Sequence, residues 1–344
     1  MIGSILATVA VIAVVILTIG YLLFGPSELF NGQQKRYIVS ETTTITTIAD
    51  ELEEMGIIRS SAGLKQWSKM TGREEIPTGI YVFTTQMPVF EVGDILTDGR
   101  DSNERILTLF EGDTVPQVAE KIATVLEKSP AEVLQVLDNH EWLKSLQPTY
   151  WFLTDAIFTE GVKHPLEGYL AADTYFVQAD SSVEAVIERL LEQMAIILEP
   201  YETAIANDAF TIHETLTLAS IVEREASTFA DRQLIAGVFR NRIQQEMPLG
   251  SDVTVAYAVG KVALNFTMAE LQTESPYNTY VITGLPVGPV GNPSAEAIEA
   301  VIDYEANDYI YFLADVCSDG TVYYAKTYEE HLAYRDQYLG CIDE

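Results

Sequence analysis

The chain opens on an unbroken apolar run. Ile2 to Phe24 holds 23 residues without a charge and ends at Gly25-Pro26. That length crosses a bilayer as a helix, and the run lacks the basic start, short apolar core and cleavage site of a signal peptide. It predicts a membrane anchor over residues 1–25. No Lys or Arg precedes it and Lys35 and Arg36 follow it, so the charge rule does not by itself turn the remainder outward.

Past a polar linker the pattern changes to short strands and amphipathic helices. RYIVSETTTITTIADELEEMGII predicts a strand and then a helix with Ile48, Ala49, Leu52 and Met55 on one face; GIYVF, Gly79–Phe83, reads as a returning strand. TDGRDSNER, 97–105, is a turn-rich joint. A second strand–helix segment begins at RILTLFEGDTVPQVAEKIATVL and continues through the helical SPAEVLQVLDN. From Leu166 on, long helices are predicted over Ser182–Leu198 and Leu216–Met247, the latter broken near 227–231. A hairpin, YIYFLAD to TVYYAK, and a helix over Tyr328–Leu339 close the chain. The class predicted is α+β: the anchor, an N-terminal region of two small strand–helix units over 35–150, and a larger mixed α+β domain over 160–344.

Within the second long helix the apolar pattern is interrupted in one place. In LTLASIVEREAS, Leu216–Ser227, a 100° projection puts Leu218, Ile221, Val222 and Ala226 on one face, with Glu225 among them and Arg224 turned away. Glu223 lies about 200° from Glu225, so the two cannot face one another. A carboxyl on a dry face loses hydration when charged and its pKa rises, as a general acid working near neutral pH requires. The same position also suits a buried structural glutamate satisfied by Arg240 or Arg242, and spacing alone leaves both readings open.

Downstream, SPYNTYVITGLPVGPVGNP, Ser275–Pro293, concentrates Pro, Gly, Asn and Tyr. Prolines stiffen it and glycines permit sharp turns or close approach. Tyr277, Asn278, Thr279 and Tyr280 offer ring faces and hydrogen bonds of the kind a sugar chain uses.

Charge and composition narrow the partners. The 344 residues carry a formal net charge of −31, a field that repels nucleic acid and anionic lipid. Four scattered histidines, no CxxC and no glycine-rich phosphate loop leave no motif for a metal or cofactor. Cys317 and Cys341, 24 apart, suit either two thiols or one disulfide.

ASIVERE, IAGVFRNRI, LGSDVTVAYAVG and SPYNTYVITGLPVGPVGNP, in that order and spacing, together with EGYLAADTY (Glu167–Tyr175) and YYAKTYEEH, resemble the YceG-like family. The chain departs from the family pattern at Ala171, Ala172, Val253 and Val322. The resemblance implies a peptidoglycan lytic transglycosylase held at the cell membrane, its catalytic domain outside the cytoplasm behind LysM-like units. The implied partners are glycan strands and peptidoglycan synthases, with no cofactor. It implies Glu225 as the catalytic residue, with Tyr277, Asn278, Thr279, Asp252, Thr254, Glu167 and Tyr175 on the substrate side. Two other classes fit the residues: a muramidase using a second carboxylate such as Asp252, and a non-catalytic wall-binding scaffold.

Overall fold

The computed structural model describes residues 15, 18–28, 32–98, 104–261, 265–315, 317–318 and 320–339. Most of the apolar run 2–24 lies outside them, and among the described residues no helix is long and apolar enough to cross a membrane. The chain divides into two compact units, 1–106 with 176–180, and 107–175 with 181–344.

In the first unit, strand β1 (Gln34–Val39) pairs antiparallel with β4 (Gly79–Thr84), Gln34 opposite Thr84 and Val39 opposite Gly79. Between them run helices α1 (Ile45–Glu54) and α2 (Ser61–Thr71) and the short paired strands β2 (Thr43–Thr44) and β3 (Glu75–Ile76). α2 begins where the Ser60 side chain accepts from the Gly63 amide, and ends on Gly72 at φ 71°, a left-handed cap that glycine adopts without strain. Tyr37, Ile48, Leu52, Leu64, Trp67, Tyr81 and Phe83 form one core, to which helix α3 (Val89–Asp98) contributes Val92 and Leu96. Ile48, Ala49 and Leu52 are buried as the pattern predicts. Met55 is not: it is the C-cap of α1 and stays exposed.

Strands β5 (Glu104–Thr108) and β6 (Thr174–Gln178) pair with each other. The second unit then holds α4 (Val115–Leu126), α5 (Pro130–Leu137), α6 (His140–Leu146), α7 (Val183–Leu198), α8 (Glu202–Asn207), α9 (Ile212–Val222), α10 (Phe229–Gln244), α11 (Asp252–Val259), α12 (Met268–Leu271) and α13 (Ala295–Ile302). The hairpin β7 (Tyr311–Ala314) and β8 (Val322–Ala325), and α14 (Tyr328–Tyr338), complete it. Residues 107–150, expected as the second of two N-terminal units, therefore fold with the C-terminal unit. Capping boxes at Thr114, Ser129, Thr211, Thr267 and Thr327 start five of these helices, each satisfying amide donors that the helix leaves without a partner. Cys317, in the turn of the hairpin, is disulfide-bonded; Cys341 lies outside the described residues.

At the centre is α9. Leu216, Leu218, Ala219, Ile221 and Val222 are wholly buried, and so are Thr215, Thr217 and Ser220. The sequence suggested one apolar face; the helix is enclosed on every side and packs, like α10, on α13. Its hydroxyls are satisfied internally, Thr217 on the His213 carbonyl (2.7 Å) and Ser220 on the Thr217 carbonyl (2.8 Å).

Candidate active site

α9 stops at Val222. The Arg224 and Glu225 amides then bond the Ile221 and Val222 carbonyls, three residues back, and the chain turns. Thr228 starts α10 by accepting from the Asp231 amide. Glu225 therefore sits in a tight turn just past the helix, and the face on which the projection placed it does not extend that far.

This turn separates the two glutamates sharply. Glu223 is spent on structure. One carboxylate oxygen accepts from Arg232 Nη2 at 2.8 Å and the other from the Ser294 amide at 2.9 Å and the Ser294 hydroxyl. It thereby joins the end of α9 to α10 and to the start of α13. Glu225 has no such ion pair among the described residues: one oxygen accepts from the Ser251 hydroxyl at 2.6 Å.

Neither arginine suggested by the sequence satisfies Glu225. Arg240 binds Asp208 at 3.1 Å and the Val301 carbonyl. Arg242 donates Nε to the Ile310 carbonyl and Nη1 to the Leu249 carbonyl, both at 2.6 Å. Burial raises the Glu225 pKa above the ordinary glutamate range, and the like charge of Asp252 adds to it. The Ser251 hydrogen bond, Arg224 and Arg242 act the other way. The group is a carboxyl held protonated further toward neutral pH than a solvated glutamate.

Ser251 is itself fixed from the loop 275–293. Its amide donates to Thr279 Oγ1 at 3.0 Å, and the Thr254 hydroxyl donates to its carbonyl at 2.6 Å. Thr254 and Thr279 hydroxyls lie 2.8 Å apart. Thr254, Asn278 and Thr279 are wholly buried. Asn278 donates to the Leu271 and Thr273 carbonyls and accepts from the Tyr280 amide. These three residues form the rigid wall behind Ser251 and have their polar atoms occupied by protein. Beside them Tyr280 stays exposed at 41%, and its hydroxyl donates to Asp252 at 2.7 Å. Ser251 is the member of the site that residue-type reasoning did not single out; its place in the LGSDVT segment was the available signal.

Tyr277, Glu167 and Tyr257 form a second cluster. Glu167 is buried and accepts from the Val115 amide at the start of α4 (3.0 Å) and from the Tyr257 hydroxyl (2.8 Å). Burial nonetheless pushes its pKa up to about 7. Tyr277 packs on Tyr257 with ring centres 4.7 Å apart. Its hydroxyl accepts from the Lys163 amide, and burial raises its pKa to about 12. Tyr175 is buried on β6, its hydroxyl donating to the Ala171 carbonyl at 2.7 Å.

The proline–glycine loop is pinned along its length. His213 Nε2 bonds the Val287 carbonyl at 3.0 Å, which leaves Nδ1 to accept from the Tyr169 hydroxyl at 2.7 Å. The Val290 amide donates to Ser220 on α9, and Asn292 joins the Leu170 amide to the Asp113 carbonyl. Gly168, at φ 82°, lies under Pro289, where a Cβ would fall 2.4 Å from the proline Cβ. The result is one preorganised carboxyl with a hydroxyl donor, a neighbouring carboxylate and an exposed aromatic, on a backbone that cannot shift easily.

The YceG-like family model matches residues 37–337. A Bacillus subtilis protein named endolytic murein transglycosylase is 32% identical over 327 residues, 94% of this chain and 90% of its own length. A Streptococcus pneumoniae protein of the same name is 32% identical over 321 residues, 88% of this chain and 58% of its own. The crystal structure of a yceG-like protein from Listeria monocytogenes matches with a TM-score of 0.63 and 31% identity, covering 88% of this chain and 99% of that one.

Proposed function

Since the chain belongs to the YceG-like family, we propose that it is a lytic transglycosylase acting on the MurNAc–GlcNAc bond of peptidoglycan, with Glu225 as its single acid and base. The relatives' names support the reaction class. The observation that carries the assignment is the contrast between Glu223, fixed in an ion pair, and Glu225, half-buried and held by one hydroxyl.

One carboxyl is sufficient because the substrate supplies the nucleophile. Protonated Glu225 gives its proton to the glycosidic oxygen as the bond to MurNAc C1 breaks. The MurNAc C6 hydroxyl closes on C1, and the Glu225 carboxylate takes that hydroxyl's proton. The products are a 1,6-anhydroMurNAc end and a free GlcNAc hydroxyl, with no water consumed. Two-carboxylate glycosidases instead place a nucleophile or base across the bond. Asp252 here is bound to Tyr280 and acts on Glu225 through its charge.

The proposal extends to placement. The run Ile2–Phe24 anchors the chain in the cell membrane and residues beyond Gln34 lie outside the cytoplasm. There the β-α-α-β unit, LysM-like in its order of elements, contacts glycan while the second unit trims or terminates nascent strands beside peptidoglycan synthases. The test is mass spectrometry of glycan strands after incubation with the full chain in detergent. Anhydro ends are expected from the native protein and background levels from Glu225→Gln, since losing general acid–base help costs about 10²–10⁴ in rate. Reducing ends, or full activity of Glu225→Gln, would overturn the mechanism. Protease added to intact spheroplasts should degrade the bulk of the chain, and full protection would overturn the outward orientation.

A further inference from the structure

The second unit contains a cavity of about 650 Å³ that takes in Arg224, the residue before Glu225, and Ala256 and Tyr257 of α11, within the size range of small-ligand sites. α11 connects it to the active site. Its first residue, Asp252, and the preceding Ser251 address Glu225, whereas Ala256 and Tyr257 line the cavity about one helical turn, roughly 6 Å, further along.

The lining is unusual for so acidic a chain. Three of its fourteen residues, Lys163, Arg224 and Lys261, are Lys or Arg, against 20 in the 344 overall, so cations are concentrated here. Lys261 is neutralised by Glu270 at 2.5 Å. The other two are not. Lys163 Nζ donates to the Tyr257 and Ala258 carbonyls, at 2.7 and 3.1 Å, and lies 4.8 Å over the Tyr257 ring. It is positioned by uncharged acceptors that leave its charge in place. Arg224 is exposed, with no hydrogen-bond or ion-pair partner among the described residues, and its stem lies 3.8 Å from where a Gly112 Cβ would be. Glu111 and Glu120 line the same cavity and are exposed. Asp113, the third carboxylate of the lining, is paired with Lys121, so the site presents two available cations and two available carboxylates.

We propose that this cavity binds the short peptide carried on the lactyl group of MurNAc. Arg224 and Lys163 take its carboxylates, and Glu111 and Glu120 take its amine. A strand without peptide offers only the single carboxylate of each lactyl group, close to the ring and with no amine beside it, whereas a stem peptide carries both signs and reaches further. The cavity-lining part of α11 begins about one helical turn from Ser251, the partner of Glu225, a separation that a peptide of a few residues spans easily. The inference rests on the lytic transglycosylase reading above and adds a specificity for peptide-bearing strands.

The experiment compares kcat/KM of the full chain in detergent on peptide-bearing glycan strands and on the same strands stripped by an amidase. The native protein should favour the peptide-bearing strands about tenfold or more, the worth of one charge-assisted hydrogen bond. The variants Arg224→Gln and Lys163→Gln should bring that ratio toward one. Glutamine at 163 keeps a donor for the helix carbonyls, so loss of charge is separated from loss of packing. A native ratio near one, or variants that slow both substrates equally, would overturn the peptide site and leave the transglycosylase reading standing. Absence of anhydro ends from both substrates would remove both.

Discussion

Removing the Ser251 hydroxyl tests the electrostatic account of Glu225 most directly. At 2.6 Å, this hydrogen bond has the length of a charge-assisted O–H to carboxylate contact, and such bonds contribute about 1.5–3 kcal/mol. Part of that survives when Glu225 is protonated, because the carboxylic acid can donate to the serine oxygen. If about half is specific to the carboxylate, Ser251→Ala destabilises the ionised form by about 0.8–1.5 kcal/mol, or up to about one pKa unit. The sign is fixed: the hydroxyl favours the carboxylate and lowers the pKa, so its removal raises it.

On the proposed mechanism, activity needs protonated Glu225 and falls as pH rises through its pKa, so the alkaline limb of the pH–rate profile should rise by up to about one unit. The plateau rate should fall less than tenfold, as the carboxyl keeps its turn but loses a tether. The fold should persist, because Thr279 and Thr254 bind the Ser251 main chain and not its side chain. The assay is release of anhydro-ended glycan from pH 4 to 10. A limb that stays in place or moves toward acid would refute the argument, since the hydroxyl would then not be favouring the carboxylate.

Three further outcomes follow from the same geometry. Glu223→Gln leaves buried Arg232 with only the exposed Glu296 as an anionic partner; a cost of about 3 kcal/mol is expected, read as a fall in Tm, with cleavage retained below the melting range. Glu167 has a folded pKa raised to about 7 against an ordinary 4.5. Its share of stability is thus fully present below about pH 4.5 and lost as pH rises through 7, amounting to about 3 kcal/mol. Urea unfolding at pH 4.5 and pH 8 should show Glu167→Gln losing less stability across that window than the native chain. Gly168→Ala places a side chain at φ 82° against Pro289 and should destabilise by at least about 1–3 kcal/mol, visible in the same unfolding measurement.

Much of the architecture is legible because local signals were strong. The apolar 3.6 period after Ser182 gave α7 to within one residue, and the segments YIYFLAD and TVYYAK gave the closing hairpin. The partly enclosed position of Glu225 was legible for a reason only half correct. The projection detects a carboxyl beside an apolar stripe, but it continues the helix past Val222, where the chain has already turned. What was not legible depended on long-range partners. Ser251 meets Glu225 across 26 residues, and nothing in a serine's identity announces that. Asn278 and Thr279 read as sugar-facing because they are polar, yet a polar residue satisfied by backbone carbonyls looks the same in sequence as one facing a ligand. Residues 107–150 echoed the first strand–helix unit, but their apolar faces are buried in the second, a choice that depends on tertiary packing.

The arrangement around Glu225 also explains why its neighbours are so firmly held. A residue that must donate a proton and then accept one works best with a pKa near the ambient pH. Burial and Asp252 push that pKa up; Ser251, Arg224 and Arg242 pull it down. A mobile arginine would end the balance by closing on the carboxylate and fixing it in the charged form, as Arg232 does with Glu223. Arg242 is prevented from this by the Ile310 and Leu249 carbonyls, which take its Nε and Nη1. Its charge reaches Glu225 while the guanidinium does not. Asp252 is likewise tethered by Tyr280, so its repulsion is steady. The surrounding hydrogen bonds thus act as distance constraints on charge, and the two glutamates of one short segment diverge because Arg232 closes on Glu223 while Arg242 is held off Glu225 by backbone carbonyls.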